Sequence, residues 1–503
     1  MPQKIEQIPF VRDLEKAGVD GSQVLLTEIA PFSGYIKEVC LHFPDGCLSG
    51  DSLIITKDGQ VKPISELATG EDVLCHNSAG KVLGVSEREY TEPIYRLKPL
   101  SCLDFLITPE HPVLAIKRDN ILCSNPSHKR NNRVCQFWKC PSIGCKRKKQ
   151  WNLEWIPAEK LQEGDIVTIK IPQEVNDLEY LPIHDLGISN YGDNRHKKIP
   201  EKIPVSKELL RLIGYYLAEG CIHKHGKNGH NYEVQFTVGG HEENLAEDIA
   251  RCSRYVFGAD CTSMPRGHAL DVVLGGRIFT ELFKQLCGEY AKEKRIHPLL
   301  MNLPPSKQMG IVEGFLAGDG YSIDSRRQKV LTTANKGLAY QLWILLLRNN
   351  IEASIAPNPH PLRKIDGREL QPAMVYQVYW TENPQHCRRY RLDGQLLTPI
   401  VRIDKLPFSG KVYNLTIPKY NSYVVNGIAV HNCNAIVDIR VGHGPKQFCP
   451  KEGFLALNDA TPTYPFNEPV SGGNEEIWVE MVNGDSANKH AITVTVMLEG
   501  AAS

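Results

Sequence analysis

Residues 209–220 read Leu209-Leu-Arg-Leu-Ile-Gly-Tyr-Tyr-Leu-Ala-Glu-Gly220, and residues 308–320 read Gln308-Met-Gly-Ile-Val-Glu-Gly-Phe-Leu-Ala-Gly-Asp-Gly320. Each is an apolar helix with small residues on one face, ending in an acid followed by glycine. Roughly 100 residues separate Glu219 from Asp319. Each helix is followed by a strand, Val234-Gln-Phe-Thr-Val or Lys329-Val-Leu-Thr-Thr, and then by an amphipathic helix over residues 243–255 or 338–348. Two copies of one supersecondary unit imply a pseudo-twofold domain, placed at residues 203–390.

Outward from this repeat the pattern changes on both sides. Residues 47–175 read as short strands and turns, such as Ser-Leu-Ile-Ile-Thr before a Lys-Asp-Gly turn and Asp-Phe-Leu-Ile-Thr before Pro109. Residues 395–432 return to β, with runs starting at Lys411 and Ser422. A β module is thus split by an α/β insertion. Beyond it, residues 1–46 and 433–503 hold alternating runs at 35–41, 435–441, 476–482 and 491–498 and read as two parts of one small β domain. Were Gly46 joined to Cys433, the Pro-Asp-Gly turn before the junction predicts a hairpin between strands 35–41 and 435–441.

Charge marks the same boundaries. The 503 residues carry 58 basic and 58 acidic side chains, so no global basic excess argues for nucleic acid. The two ends hold 8 basic and 16 acidic residues, leaving 50 and 42 for the middle. With 42% apolar and 23% charged residues the composition excludes disordered and fibrous classes. The longest apolar run, Leu342–Leu347, is far too short to span a bilayer, and Met-Pro-Gln-Lys-Ile-Glu does not read as a secretory signal. The expectation is a cytoplasmic protein without a membrane partner, whose fifteen cysteines serve as nucleophiles, metal ligands or buried apolar groups rather than disulfides.

Three short strings fall at these boundaries and between them: Cys47-Leu-Ser-Gly-Asp-Ser, Thr108-Pro-Glu-His111 and Val430-His431-Asn432-Cys433. Taken singly each has a bland reading: a buried thiol beside a turn, a strand end with an exposed imidazole, a chance tripeptide. Their order is a nucleophile first, a hydroxyl and imidazole inside, and a terminal amide beside a second thiol. This arrangement resembles an intein, a protein-splicing element, in its unspliced host. The paired helices resemble the signature motifs of LAGLIDADG homing endonucleases of the DOD type, which commonly interrupt such elements. The resemblance covers residues 47–432, about three-quarters of the chain.

The resemblance implies an α+β multidomain chain: an all-β Hint horseshoe (47–175 and 395–432) interrupted by a pseudo-twofold αββαββα endonuclease, flanked by two halves of a small all-β extein (1–46 and 433–503). It implies that Cys47 attacks the Gly46 carbonyl, that Thr108 and His111 assist, that Cys433 takes the acyl group, and that Asn432 cyclises with help from His431. No cofactor is implied for splicing. For the endonuclease it implies Mg²⁺ at Glu219 and Asp319, Lys294 as candidate catalytic lysine of the first half, and double-stranded DNA as partner. The helices would pack through Gly214, Ala218, Gly314 and Gly318. The other partner is the chain's own flanks; the excised segment is expected to be monomeric, and the mature extein to assemble with itself. Alternatives are an endonuclease that binds without cutting, and a structural β protein whose Hint-like insertion cleaves without ligating.

Two positions depart from the intein pattern. Asn414 stands where many inteins carry Asp, and Asn421 where they carry His; neutral amides neither supply a negative charge nor take a proton. Finally, residues 123–149 hold eight Lys or Arg and no acid, with Cys123, His128, Cys135, Cys140 and Cys145 spaced Cys-x4-His-x6-Cys-x4-Cys-x4-Cys. Soft thiolates and an imidazole suggest structural Zn²⁺, against an unliganded basic loop. Phe137, Trp138 and Trp151 interleave with the charges, suggesting contact with DNA phosphates.

Overall fold

The computed structural model describes residues 3–14, 18, 20–42, 46–121, 151–189, 198–225, 231–361, 363–365, 368–382, 389–392, 395–417, 420, 422–431, 436–452, 455–458, 463–483 and 490–501. The five cysteine and histidine positions of the basic stretch, and Asn421, Asn432 and Cys433, lie outside the described residues.

The two ends of the chain interleave. Strand Gln3–Leu14 pairs antiparallel with His490–Ala501, which also pairs with Gly34–His42, and Thr463–Val470 closes that sheet. Strands Gln23–Ile29, Glu476–Asn483, Ile436–His443 and Lys446–Cys449 form the second, with Leu455–Asn458 attached. Phe10, Ile36 and Val496 from one sheet and Val441, Val479 and Met481 from the other share one apolar core, as alternation along each strand dictates. In the unspliced chain the two strands that would flank the joined junction are not paired with each other. Gly34–His42 has His490–Ala501 and Thr463–Val470 on its edges, whereas Ile436–His443 has Glu476–Asn483 on one edge and Lys446–Cys449 and Leu455–Asn458 on the other. With both edges of each strand filled, the two lie in different sheets.

The β module is built on a 14-stranded sheet drawn from residues 48–169 and 390–431, with a separate two-stranded ribbon, Asp72–Leu74 and Ala79–Lys81, beside it. Its long strand Gln395–Leu406 pairs with Ile166–Ile169 up to Pro399 and with Ile94–Pro99 from Ile400 onward. A proline cannot donate to a ladder, so the strand changes partner there; Leu100 N–H donates to the Pro399 carbonyl across the break.

The insertion contains the two expected helices, Lys207–Glu219 and Pro305–Asp319. They approach at backbone distance. A Cβ added to Gly214 would lie 2.8 Å from Gly314 Cα, one on Gly314 would lie 2.2 Å from the Arg211 carbonyl oxygen, and one on Gly318 would lie 2.7 Å from Ala218 Cβ. Small residues at this spacing let helix axes come closer than larger side chains permit. Each helix leads into a four-stranded antiparallel sheet, in chain order helix, two strands, helix, two strands. In the first copy a third helix, Arg277–Cys287, follows. Helix Lys336–Arg348 is buried along most of its length, which accounts for the apolar run at 342–347.

Candidate functional site

The residue after Cys47 begins a two-residue strand, Leu48–Ser49, held between Phe105–Ile107 and Gly410–Thr416 with Leu48 opposite both Ile107 and Tyr413. This fixes Cys47 next to the residue that follows Ile107. Cys47 N–H donates to Thr108 Oγ1 at 2.7 Å, and Thr108 N–H donates to the Cys47 carbonyl at 2.9 Å. Thr108 thus sits on the nitrogen side of the Gly46–Cys47 peptide bond. Gly46 lies directly on His111: a Cβ there would fall 2.2 Å from His111 Cα and 2.6 Å from its Cγ. No other residue type fits without moving the histidine.

The C-terminal strands are delivered by a tight hairpin, Ser422–Val425 and Ile428–His431, turning at Asn426 and Gly427 with φ of 48° and 89°. Asn-Gly suits a turn with two left-handed residues. The Asn426 side chain accepts from Leu53 N–H (2.9 Å) and donates to the Asp104 carbonyl (2.8 Å), tying this turn to the N-terminal strands. Val430 lies opposite Val113, which brings His431 beside the residues that precede Val113.

His111 is the meeting point. It is fully buried, and burial pushes its pKa down to about 3, opposed by the backbones of Gly46 and His431. Neither ring nitrogen has a partner of full hydrogen-bond geometry, an unusual state for a buried imidazole. Tyr423 lies edge-on to His111 with ring centroids 6.3 Å apart, and its hydroxyl donates to Asn414 Oδ1 at 2.9 Å. Asn414 is therefore engaged behind the histidine, and it also accepts from Leu415 N–H. On the other side Trp155 stands edge-on to both His431 (4.8 Å) and His76 (6.0 Å). Burial and the nearby Lys170 charge lower His76 to about 4. Tyr423, Trp155 and His76 carry no sequence signal beyond strand alternation.

Glu219 and Asp319 are the last residues of their helices, and the Glu219 side chain lies against Gly318, its Cγ 3.1 Å from a Cβ placed there. Acids at helix C-termini meet the negative end of the dipole. Burial, then Asp319, raises Glu219 to about 7, with Lys294 opposing; burial also raises Asp319, again against Lys294. Lys294 donates to the carbonyls of Leu217 (3.0 Å) and Ala218 (3.2 Å) at the first helix end. Among the described residues no three His, Cys, Asp or Glu side chains cluster as metal ligands. Two hard carboxylates that disfavour joint ionisation do fit a Mg²⁺ whose remaining ligands are water and phosphate.

Residues 306–377 match the family described as a LAGLIDADG-like domain. The chain therefore carries such a domain, covering the second motif helix and its sheet. Over longer stretches the chain is similar to an uncharacterized protein of Methanocaldococcus jannaschii (28% identical, 84% of this chain, 54% of that protein). It is also similar to ATP-dependent DNA helicase Hel308 of Thermococcus kodakarensis (28%, 84% and 39%) and to an iron-sulfur cluster assembly SufBD family protein of Mycobacterium bovis (26%, 78% and 44%). The chain spans about half or less of the length of these relatives. Among solved structures it is similar to the homing endonuclease I-DmoI in complex with DNA and Mn (16% identity, 35% of this chain, 90% of that one, TM-score 0.26). The gp41-1 intein aligns with 16% identity over 25% of this chain and 69% of its own, TM-score 0.16.

Trp151, expected among DNA-facing aromatics, is instead buried against Ile116, Ile121, Ile166 and Leu397, with Tyr390 edge-on at 5.4 Å. Its apolar area goes to the core because the flanking strands offer a cleft that the indole fills. No helix among the described residues is long and apolar enough to cross a membrane.

Proposed function

We propose that residues 47–432 form an intein of the Hint type that excises itself and joins Gly46 to Cys433, and that its LAGLIDADG-like domain cuts double-stranded DNA with Mg²⁺. The observation that carries the splicing reading is the meeting of Gly46 and His431 at one buried imidazole, with the scissile N–H held by Thr108. Proximity of this kind replaces a bimolecular encounter, with effective concentrations of about 10⁵ M or more.

The chemistry follows from the groups. Cys47 Sγ attacks the Gly46 carbonyl carbon, the C–N bond breaks with its electron pair going to the Cys47 nitrogen, and the proton lost by sulfur reaches that nitrogen. His111, neutral by burial, relays it by accepting at one position and donating back. As the nitrogen becomes cationic its N–H bond to Thr108 Oγ1 becomes charge-assisted, so Thr108 favours the transition state over the resting amide. Cys433 then exchanges thiol for thioester. Asn432 attacks its own carbonyl carbon with its side-chain nitrogen, releasing the Cys433 amine, and His431 assists. Acyl transfer from sulfur to that amine completes the new peptide. Asn414, held by Tyr423, brings a neutral amide where a carboxylate would activate the thiols, so thioester formation is expected to be slow relative to cyclisation.

A portable element also fits the comparisons, because relatives whose names describe a helicase and an iron-sulfur assembly protein share most of this chain's length. For the nuclease, bound Mg²⁺ would supply charge neutralisation and Lewis acidity at the phosphodiester. Glu219 and Asp319 would hold it, and Lys294 would steady the negative helix end between them. Strand Thr262–Arg266, exposed at every residue, suits a long partner such as duplex DNA. Expression in reducing medium tests the splicing reading: a ligated product of residues 1–46 and 433–503 plus a free segment 47–432 supports splicing, and separate flanks reject ligation.

A further inference from the structure

The splicing chemistry above leaves one charged group at the nucleophile without a task. Arg88 lies on strand Gly84–Tyr90, where Glu87 and Glu89 face solvent while Arg88 and Tyr90 turn inward. Arg88 is opposite Val412, and Val412 is opposite Ser49, so its side chain must cross one strand to reach the start of the β module. It does so. Arg88 Nε–H donates to Cys47 Sγ at 3.4 Å. The same guanidinium donates from Nη2 to Glu110 Oε1 at 3.3 Å and stacks over the Tyr90 ring at 5.1 Å. Glu110 is the second interior residue of Thr108-Pro-Glu-His111, so one short loop supplies the scissile-bond partner, the relay imidazole and the acid that clamps the arginine.

We propose that Arg88 is a catalytic residue of the first splicing step, holding the Cys47 sulfur as an oriented thiolate, and that Glu110 is the positioning residue that fixes the guanidinium. This rests on the splicing reading and adds to it the source of the nucleophile's activation. Arg88 exchanges no proton: sulfur's proton leaves toward the nitrogen of the breaking bond, and the guanidinium neutralises the charge left behind. Cys47 is 4% exposed and its neighbours Tyr90, Ile94 and Val412 are apolar, so water alone would stabilise a thiolate poorly. A planar fork that reaches sulfur with one edge and a carboxylate with another is the geometry that arginine supplies and lysine does not. Burial works against the Arg88 charge, and the sulfur and Glu110 outweigh it, which supports the same coupling from the arginine's side.

The test uses the full chain with Asn432→Ala and Cys433→Ala, in which only the first step remains. Two readouts are followed from pH 6 to 10: alkylation of Cys47 by iodoacetamide, measured on the Cys47 peptide, and hydroxylamine cleavage after Gly46. Arg88→Gln should move the alkylation midpoint upward by about one pH unit and slow cleavage about tenfold at pH 7, with the two chains converging near pH 10. Arg88→Lys should recover the alkylation midpoint more fully than the cleavage rate. Glu110→Gln should shift the cleavage pH profile in the same direction by a smaller amount, where a purely structural role would lower the rate equally at every pH. If Arg88→Gln does not fold, Arg88→Met, matched along the stem, gives the same readings. An alkylation midpoint unchanged in folded Arg88→Gln or Arg88→Met overturns the proposal. Absence of hydroxylamine cleavage in the parent would reject the splicing reading instead, while alkylation would still report on Arg88.

Discussion

In the proposed first splicing step Thr108 and His111 are the side chains that would turn a stable amide into a reacting one. Thr108→Val leaves the Cys47 N–H buried without an acceptor, a loss of about 1–3 kcal/mol. Cleavage after Gly46 should slow about a hundredfold, and Thr108→Ser should restore most of it; equal rates for Val and Ser would remove the hydroxyl from the mechanism. His111 and His76 predict acid lability. Burial holds them at about 3 and about 4, below their ordinary 6.5. Between those values the unfolded chain binds protons that the folded chain refuses, so stability is complete above pH 6.5 and drains as pH falls toward 3. Amide exchange in strand Pro112–Ile116 should quicken between pH 6.5 and 4.5 after correction for intrinsic rates, and His111→Gln should flatten that slope. That Cys47, Thr108 and His111 come together was legible because nucleophile, hydroxyl and imidazole stand in order, the first at a charge boundary. Arg88 was not, since Glu87-Arg-Glu89 reads as a solvated edge until the pleat turns its middle residue inward.

At the scale of elements, legibility followed backbone constraint. The two motif helices were readable because close packing demands small residues at Gly214, Gly314 and Gly318, and those leave a periodic mark. Strand Gln395–Leu406 was not, because Pro399 interrupts its pattern while serving as the point where the strand changes partner. The sheet partners of strands 35–41 and 435–441 were not legible for a different reason: alternation shows which face of a strand is buried but not which neighbour it pairs with. The Asn426-Gly427 turn is where an element's geometry reaches the proposed chemistry. Gly427 has φ of 89°, and a Cβ there would lie 2.9 Å from the Trp343 ring. Gly427→Ala should cost about 1–3 kcal/mol and displace His431, so cleavage after Asn432 should slow more than cleavage after Gly46. If both junctions slow equally, the turn acts on global stability alone.

Across the whole molecule the insertion and the β module share one apolar core, in which Ile54, Ile169 and Ile428 pack with Met301, Tyr340 and Trp343, and specific polar contacts cross the same seam. Lys336 Nζ meets Asp51 Oδ2 at 2.8 Å, Asn302 donates to the Asp58 carbonyl at 3.0 Å, and Arg348 donates to the carbonyls of Pro172 and Glu174. The buried histidines of the β module and the paired acids of the insertion nevertheless respond to pH in opposite directions. Glu219 is raised by burial and by Asp319 from 4.5 to about 7, so its contribution to stability is complete below pH 4.5 and is lost as pH rises through 7. A divalent cation bound between the two carboxylates takes the place of that proton. Magnesium should therefore raise the melting temperature of the insertion more at pH 8 than at pH 5.5. Glu219→Gln should raise stability at pH 8 without the metal while abolishing both the magnesium response and DNA cutting, because the amide removes the buried charge and the ligand together. A magnesium shift that is the same at both pH values, or that survives in Glu219→Gln, would separate metal binding from these helix ends and leave the paired acids as packing features of the insertion.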